Sequence, residues 1–470
     1  RVLQYKDLSI NNTAFTIPAS TYFYSRAAFV ATNLNLFDIY GVVELQDNNT
    51  FGVNTDFFVR NGATLRHRDN STAETYKLDI SVRNFTVENG GNINVDARGY
   101  DGRNTFANGY GPGGGIAWAD GSTGAGHGGY GGQRKNNGVY GGTRGAQYGS
   151  ITQPINIGSG AGGSNTGGRG GHGGGAIKIT ASGAIIVNGT ISANGSNGVA
   201  VSALARNPGG GSGGSIWLTA GTTFSGSGTI RTNGGNGDYY NTLYSGGGGA
   251  GGRIAIYYAT NTFGGTIQSK GGSGPEYGAA GTIYTKAASQ TYGELLVDNA
   301  GNLGAWTYIN NTSLPINTLD LLTIINKGRV LQYKDLSINN TAFTIPASTY
   351  FYSRAAFVAT NLNLFDIYGV VELQDNNTFG VNTDFFVRNG ATLRHRDNST
   401  AETYKLDISV RNFTVENGGN INVDARGYDG RNTFANGYGP GGGIAWADGS
   451  TGARHGGYGG QRKNNGVYGG

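Results

Sequence analysis

Short stretches in which apolar and polar residues alternate recur along the chain and end on Gly or Asn, while the spacing of an amphipathic helix is nearly absent. The pattern predicts strands joined by sharp corners. Four stretches align: AIKITASGAIIVNGTISANG from Ala176, SIWLTAGTTFSGSGTIRTNG from Ser215, RIAIYYATNTFGGTIQSKG from Arg253 and TIYTKAASQTYGELLVDNAG from Thr282. The first three pass through Gly-Thr-Ile and close on Gly195, Gly234 and Gly271. Ile177, Ile216, Ile254 and Ile283 take one position of this alignment, and Ile191, Ile230 and Ile267 another. Like residues at like positions are what stacked coils produce, each side chain about 4.8 Å above the one below. The stretch from Leu78, LDISVRNFTVENGGNINVDARG, follows a related pattern through Ile80, Val82, Phe85, Val87, Ile93 and Val95, and residues 34–45 and 57–65 follow it loosely.

Rungs of roughly 20–25 residues with Gly and Asn corners, which accept left-handed backbone angles, predict an all-β fold: a parallel β-helix, or β-solenoid. An array of Ig-like β-sandwiches is the alternative. Successive rung starts lie 39, 38 and 29 residues apart, too long for simple hairpins, because Gly-rich loops intervene. These segments resemble the right-handed parallel β-helix of the pectate-lyase-like superfamily, and more closely the glycine-rich β-helical repeats of large secreted adhesins. The resemblance covers residues 78–102 and 176–301 well and the rest loosely, and it implies architecture more than activity. Enzymes of that superfamily use clustered carboxylates for Ca²⁺ and a basic residue on the solenoid face. The nearest counterpart here is Asn94-Val-Asp96-Ala-Arg98-Gly-Tyr-Asp101, which without a second acidic cluster reads as a corner with a solvated Arg.

Residues 329–470 repeat residues 1–142 letter for letter, except that Gly126 is matched by Arg454. The sequence therefore reads as a tandem repeat of 328 residues, about one and a half units of a longer array, with secretion and attachment signals expected outside it. Within it we expect solenoid rungs over residues 1–101, a glycine-rich insertion over 102–175, rungs with shorter glycine loops over 176–328, rungs of the second unit over 329–429, and the start of a second insertion over 430–470. Leu321, Leu322, Ile324 and Ile325 run straight into Val330 and Leu331, so no flexible linker is expected at the junction. Eight to ten rungs would advance a fibre roughly 40–50 Å per unit.

Gly supplies 29 of the 74 residues in the insertion from 102 to 175. A flexible loop is one reading. The other is a layer of extended glycine strands in the polyglycine-II manner, packed side by side along the solenoid because no Cβ keeps them apart, and joined by the Gly runs at 208–214, 246–252 and 271–281. Tyr110, Trp118, Tyr130, Tyr140 and Tyr148 punctuate the insertion, with Arg103, Arg134, Lys135, Arg144 and Arg169 among them. These aromatics are candidates for self-association; stacking on sugars is the alternative.

Composition narrows the function. With charged residues at 13%, aromatics at 11% and neither Cys nor Met, the chain lacks disulfides and Cys-ligated metals. A scattered net charge of +5 is a weak footprint for nucleic acid, and no apolar run reaches the roughly 18–20 residues of a membrane helix. There is no phosphate-loop pattern, GGNGD at 234–238 stands alone, and His67, His127 and His172 lack ligand spacing, so no catalytic residue, cofactor or metal is expected. N-x-S/T sequons at Asn11, Asn48, Asn70, Asn84, Asn188, Asn194, Asn310 and Asn311, and again at Asn339, Asn376, Asn398 and Asn412, are candidate glycosylation sites. The expected function is a structural repeat of an extracellular or cell-surface filament whose main partner is itself. A glycan-binding adhesin is the alternative, and a polysaccharide-active β-helix enzyme is the less favoured reading.

Overall fold

A computed structural model describes residues 1–46, 49–118, 121–164, 167–200, 207–239, 244–374, 376–431, 434–446, 449–464 and 467–469. The described residues are all-β, with no α-helix.

Residues 1–287 supply most strands of three sheets that the chain visits repeatedly, beside two short antiparallel hairpins at 117–122 and 134–141. One has eight parallel strands stacked in chain order: Val2–Gln4, Tyr22–Ser25, Val42–Leu45, Thr64–His67, Asn92–Asn94, Thr190–Ser192, Thr229–Arg231 and Thr266–Gln268. A second, of three strands, contains Leu8–Ser9, Phe29–Ala31 and Asn49–Phe51. The third is a twelve-stranded sheet that includes Leu36–Ile39, Asp56–Val59, Asn84–Val87, Ser215–Gly226 and Arg253–Phe263. The expected columns hold: Ile177, Ile216, Ile254 and Ile283 are register partners in turn, as are Ile93, Ile191, Ile230 and Ile267. Phe15, Phe37, Phe57 and Phe85 form a further column, the last two rings stacked 4.9 Å apart. Alternation puts these residues on one face of each strand, where they fill a single apolar interior.

Asparagine supports the corners. The Asp96 carboxylate accepts the Asn194 amide N–H at 2.7 Å, Asn194 Oδ1 accepts that of Asn233 at 2.8 Å, and Asn233 Oδ1 accepts that of Lys270 at 3.1 Å. Each polar side chain thus satisfies a backbone donor one layer away, where the turning chain has left the ladder.

Beyond Ala287 the chain departs from the expected fourth parallel rung. Thr282–Ala287 folds back on Glu294–Asp298 as an antiparallel hairpin, with Ile283 opposite Leu296. This stretch lacks the Gly-Thr-Ile step, and the Asp320 carboxylate accepts the amides of Tyr292 and Gly293 at 3.1 and 2.8 Å, which fixes the turn. Later strands again pair in parallel with one another, in sheets of six, four and four. Within the twelve-stranded sheet, Glu294–Asp298 and Leu321–Ile325 are parallel to each other and run opposite to Thr282–Ala287.

The interior changes side at the same place. Ile254, Ile256 and Ile283 belong to the first core, whereas their alternating neighbours Ala255 and Tyr284 belong to a second core with Leu295, Val297, Leu322 and Ile324. One sheet therefore walls two cores on its opposite faces. The passage from residue 317 into 329–332 is strand throughout most of its length, with Leu319, Leu322, Ile324 and Val330 buried.

Candidate functional site

The links from the eight-stranded sheet to the twelve-stranded one are glycine strands, and the insertion folds against them. Their hydrogen bonds follow a strict period. In residues 246–252 seven consecutive amides donate in rotation to three different neighbours. Gly246, Gly249 and Gly252 donate to the carbonyls of Asp238, Gly235 and Thr232. Gly247 and Ala250 donate to Ser122 and Ala125, and Gly248 and Gly251 to Glu276 and Ala279. The carbonyls of this same strand accept from Gly210, Gly213, Gly128, Gly132 and Gly272. A strand whose bonds return to the same direction every third residue turns once per three residues, as polyproline-type extended chains do. A flat β-strand would offer only two directions.

Glycine is required here by proximity. None of the glycines in 246–252 has a left-handed φ. A Cβ on Gly249 would overlap the Gly211 carbonyl, one on Gly248 that of Gly272, and one on Gly210 that of Gly235. With backbone touching backbone, almost every peptide group in a layer without large side chains finds a partner. The insertion is pinned from outside by Arg144, which makes a bidentate pair with Glu276 at 2.9 and 2.7 Å, while Glu276 also accepts the Gln133 amide.

The five aromatic candidates do not share one role. Trp118 and Tyr140 are 41% and 51% exposed, with Arg134 and Lys135 over their rings. Tyr110 is half-buried under Arg103. Tyr130 packs against Tyr308 at 4.4 Å, and Tyr148 donates its hydroxyl to the Ile157 carbonyl while stacking on His127 at 4.5 Å. The last two are inward-facing, and burial raises the Tyr148 phenol well above its ordinary range. Sequence spacing could not separate these cases, because all five sit in the same glycine-rich insertion.

The Asp96–Arg98–Asp101 group is divided among separate tasks. Asp96 caps the Asn194 corner, Arg98 reaches the His67 carbonyl at 3.0 Å and Glu44 at 3.6 Å, and Asp101 holds His172 at 2.8 Å and Ser71 at 2.7 Å. Among the described residues no three His, Asp or Glu side chains are grouped as metal ligands. Of the sequons, Asn48 lies outside the described residues. Asn11, Asn188, Asn311, Asn339, Asn376 and Asn412 are exposed. Asn84, Asn194 and Asn310 are half-buried corner residues. Asn70 and Asn398 are 4% and 8% exposed, and each donates both amide protons to backbone carbonyls, so the folded chain leaves no room for a glycan there.

Two buried imidazoles tie the layer to the sheets. His67 donates from Nδ1 to the Arg68 carbonyl at 2.6 Å and accepts the Ala176 amide at Nε2; His127 donates from Nδ1 to Gly213 at 2.7 Å. Burial is the main cause that holds His67 down to about 4 and His127 down to about 3, from an ordinary 6.5. Between pH 6.5 and about 4 the unfolded chain binds protons that the folded chain refuses. Stability is therefore full above pH 6.5 and falls through this window by roughly 1.4 kcal/mol per pH unit for each imidazole. We expect the melting temperature to drop between pH 7 and 4.5, and to drop less in the double variant His67→Gln/His127→Gln. Equal slopes in the two proteins would show that the imidazoles are not responsible.

No protein-family model, curated protein or solved structure matches this chain.

Proposed function

We propose that the chain is a structural repeat of an extracellular filament. In this reading the three-sheet coils are a parallel β-solenoid, the glycine layer beside them is a polyglycine-II bundle, and units related by 328 residues stack end to end. One observation carries it. Hydrogen-bonded strand pairing runs on through residues 317–332, where the repeated sequence begins again at Arg329, with Leu322, Ile324 and Val330 buried, which supports units joined without a flexible linker. The reversal of strand direction and the change of core face both invert the winding sense, and together they leave it unchanged. A filament of one handedness can therefore pass through every junction.

In this reading the function is mechanical, and Asp96, Arg98 and Asp101 serve the fold through their bonds to backbone and neighbouring side chains. A second reading, glycan binding, draws support from Trp118 and Tyr140, which are 41% and 51% exposed in the insertion. Electron microscopy of the native material distinguishes the two. The filament reading expects continuous fibres with layer lines near 4.8 Å and an axial repeat of one 328-residue unit. Isolated particles that bind a glycan array through the insertion would replace it with the adhesin reading.

A further inference from the structure

In the twelve-stranded sheet the column Leu78, Ile177, Ile216 and Ile254 points into the first core. The neighbouring column, Asp79, Lys178, Trp217 and Ala255, points the other way, because successive side chains along a strand alternate between faces. Ala255 is covered by the second core, whereas the three residues before it line a cleft of about 460 Å³, a size at which small ligands are held. Strand layers of the same sheet lie on either side of it, with Asp56–Val59 before and Arg253–Phe263 after, and every lining residue falls between 74 and 217.

Two further segments wall the cleft, and both are held in place. Residues 151–156 of the insertion are pinned by Ile151 in the second core, by the Tyr257 hydroxyl donating to the Thr152 carbonyl at 2.6 Å and by the Ser215 hydroxyl donating to the Asn156 carbonyl at 2.6 Å. This keeps Ile155 at the cleft although it is 45% exposed. Residues 74–77 are fixed through Asn70, whose Oδ1 accepts the amides of Thr75 and Tyr76 at 2.8 Å, and through the Asn156 side chain, which donates to Glu74 at 3.3 Å. The charges of the lining close in two pairs, Lys77 with Glu74 at 2.6 Å and Lys178 with Asp79 at 3.0 Å. Trp217 Nε1 is buried and has no partner among the described residues, so the part of the indole that lines the cleft is carbon.

These features select a class of ligand. The lining balances two ammonium groups against two carboxylates, so it offers no net field to a strongly charged molecule. An ammonium carries three donors and a carboxylate several lone pairs, more than each pair uses on itself. Hydroxyl groups, which both donate and accept, match such a lining, while indole carbon and Ile155 match a face of C–H groups. The strands beneath, 176–181 and 215–220, are paired along both edges, which leaves no backbone free to take up a peptide as an added strand. We propose that this cleft binds a neutral saccharide, with one ring laid on Trp217 and its hydroxyls shared between the Lys178–Asp79 and Lys77–Glu74 pairs. The site is distinct from the exposed rings of Trp118 and Tyr140, and it goes beyond the filament reading, which requires no ligand.

The test titrates the full chain with cellotriose, maltotriose, xylotriose and chitotriose in a calorimeter, with polygalacturonate as the charged comparison. Saturable binding of at least one neutral trisaccharide is expected, weakened about tenfold by Lys178→Gln and by Trp217→Ala. Trp217 also packs against the second core, so Ile155→Ser supplies a variant at an exposed position whose melting temperature should stay unchanged while binding weakens. Amide exchange at 151–156 should slow when the sugar is bound. Failure of all four trisaccharides to bind would overturn the proposal, as would binding confined to polygalacturonate. So would binding that survives Lys178→Gln and Ile155→Ser but is lost in Tyr140→Ala, which would move it to the outer aromatics of the insertion. Binding at the cleft by a chain that forms no fibres under the microscope leaves this site standing and removes the filament reading; fibres without binding do the reverse.

Discussion

Gly249→Val is expected to lower stability by about 3 kcal/mol or more, while Gly264→Ala changes it by no more than about 0.5 kcal/mol. Both substitutions add carbon to a glycine with an ordinary φ, so the contrast isolates space from backbone freedom. At Gly249 the new Cβ would overlap the Gly211 carbonyl and crowd Gly210, which belong to a neighbouring strand held by its own hydrogen bonds. That strand has no room to yield without releasing Gly213 from Ala250 and Gly210 from Gly247. At Gly264 nothing lies within 4 Å of the added carbon, and the amide can keep its bond to Gly226 at 2.8 Å. Thermal melts of the two variants, with amide exchange read at 246–252, make the comparison. Equal melting temperatures would mean that the glycine layer is loosely packed and that its period-three bonding does not contribute to stability.

The single difference between the repeated regions supplies the second large effect. Gly126 donates to the Gly113 carbonyl at 2.8 Å, and an added Cβ would overlap the carbonyls of Gly145 and Ala146, themselves part of the layer through Gly131 and Gly124. Arg454 makes the corresponding backbone bond to Gly441 at 2.9 Å, and its guanidinium extends to the exposed Tyr458 ring at 5.6 Å. Gly126→Arg should therefore cost about 3 kcal/mol or more and speed amide exchange at Gly124, Gly126, Gly131 and Gly145. Arg454→Gly should shift stability by less than about 0.5 kcal/mol. If Gly126→Arg leaves those amides protected, the layer tolerates a side chain where the geometry says it cannot.

Much of the fold was legible because strand stacking writes itself into the sequence as a column. Ile177, Ile216, Ile254 and Ile283 occupy one position in the alignment and are register partners in space, since a residue facing the interior must meet another apolar residue directly above and below it. The glycine layer was legible as composition: only Gly, with an occasional Ala such as Ala125 or Ala250, permits that approach of backbones. The hairpin at residues 282–298 was harder to see. Its first strand begins like its predecessors, and the Asp320 contact that fixes the turn comes from more than twenty residues downstream. The change of core face was hidden for a related reason. In IAIYY at 254–258 and IYTKA at 283–287 both faces are largely apolar, so alternation no longer says which one is inside. The roles of Tyr130 and Tyr148 were equally silent, because a tyrosine in a glycine-rich stretch looks the same whether its ring faces Tyr308, His127 or water.

The shared sheet gives the molecule a mechanical character. Face-to-face layers are separated by about 10 Å, so two columns seated on opposite faces of one sheet have centre lines that do not coincide. A pull along the length would then act as a bending couple, tilting the two columns towards one line and loading the hairpin at 282–298 in shear. Such a junction would act as a flexural spring, taking up a pull by tilting before any layer of the stack is asked to part.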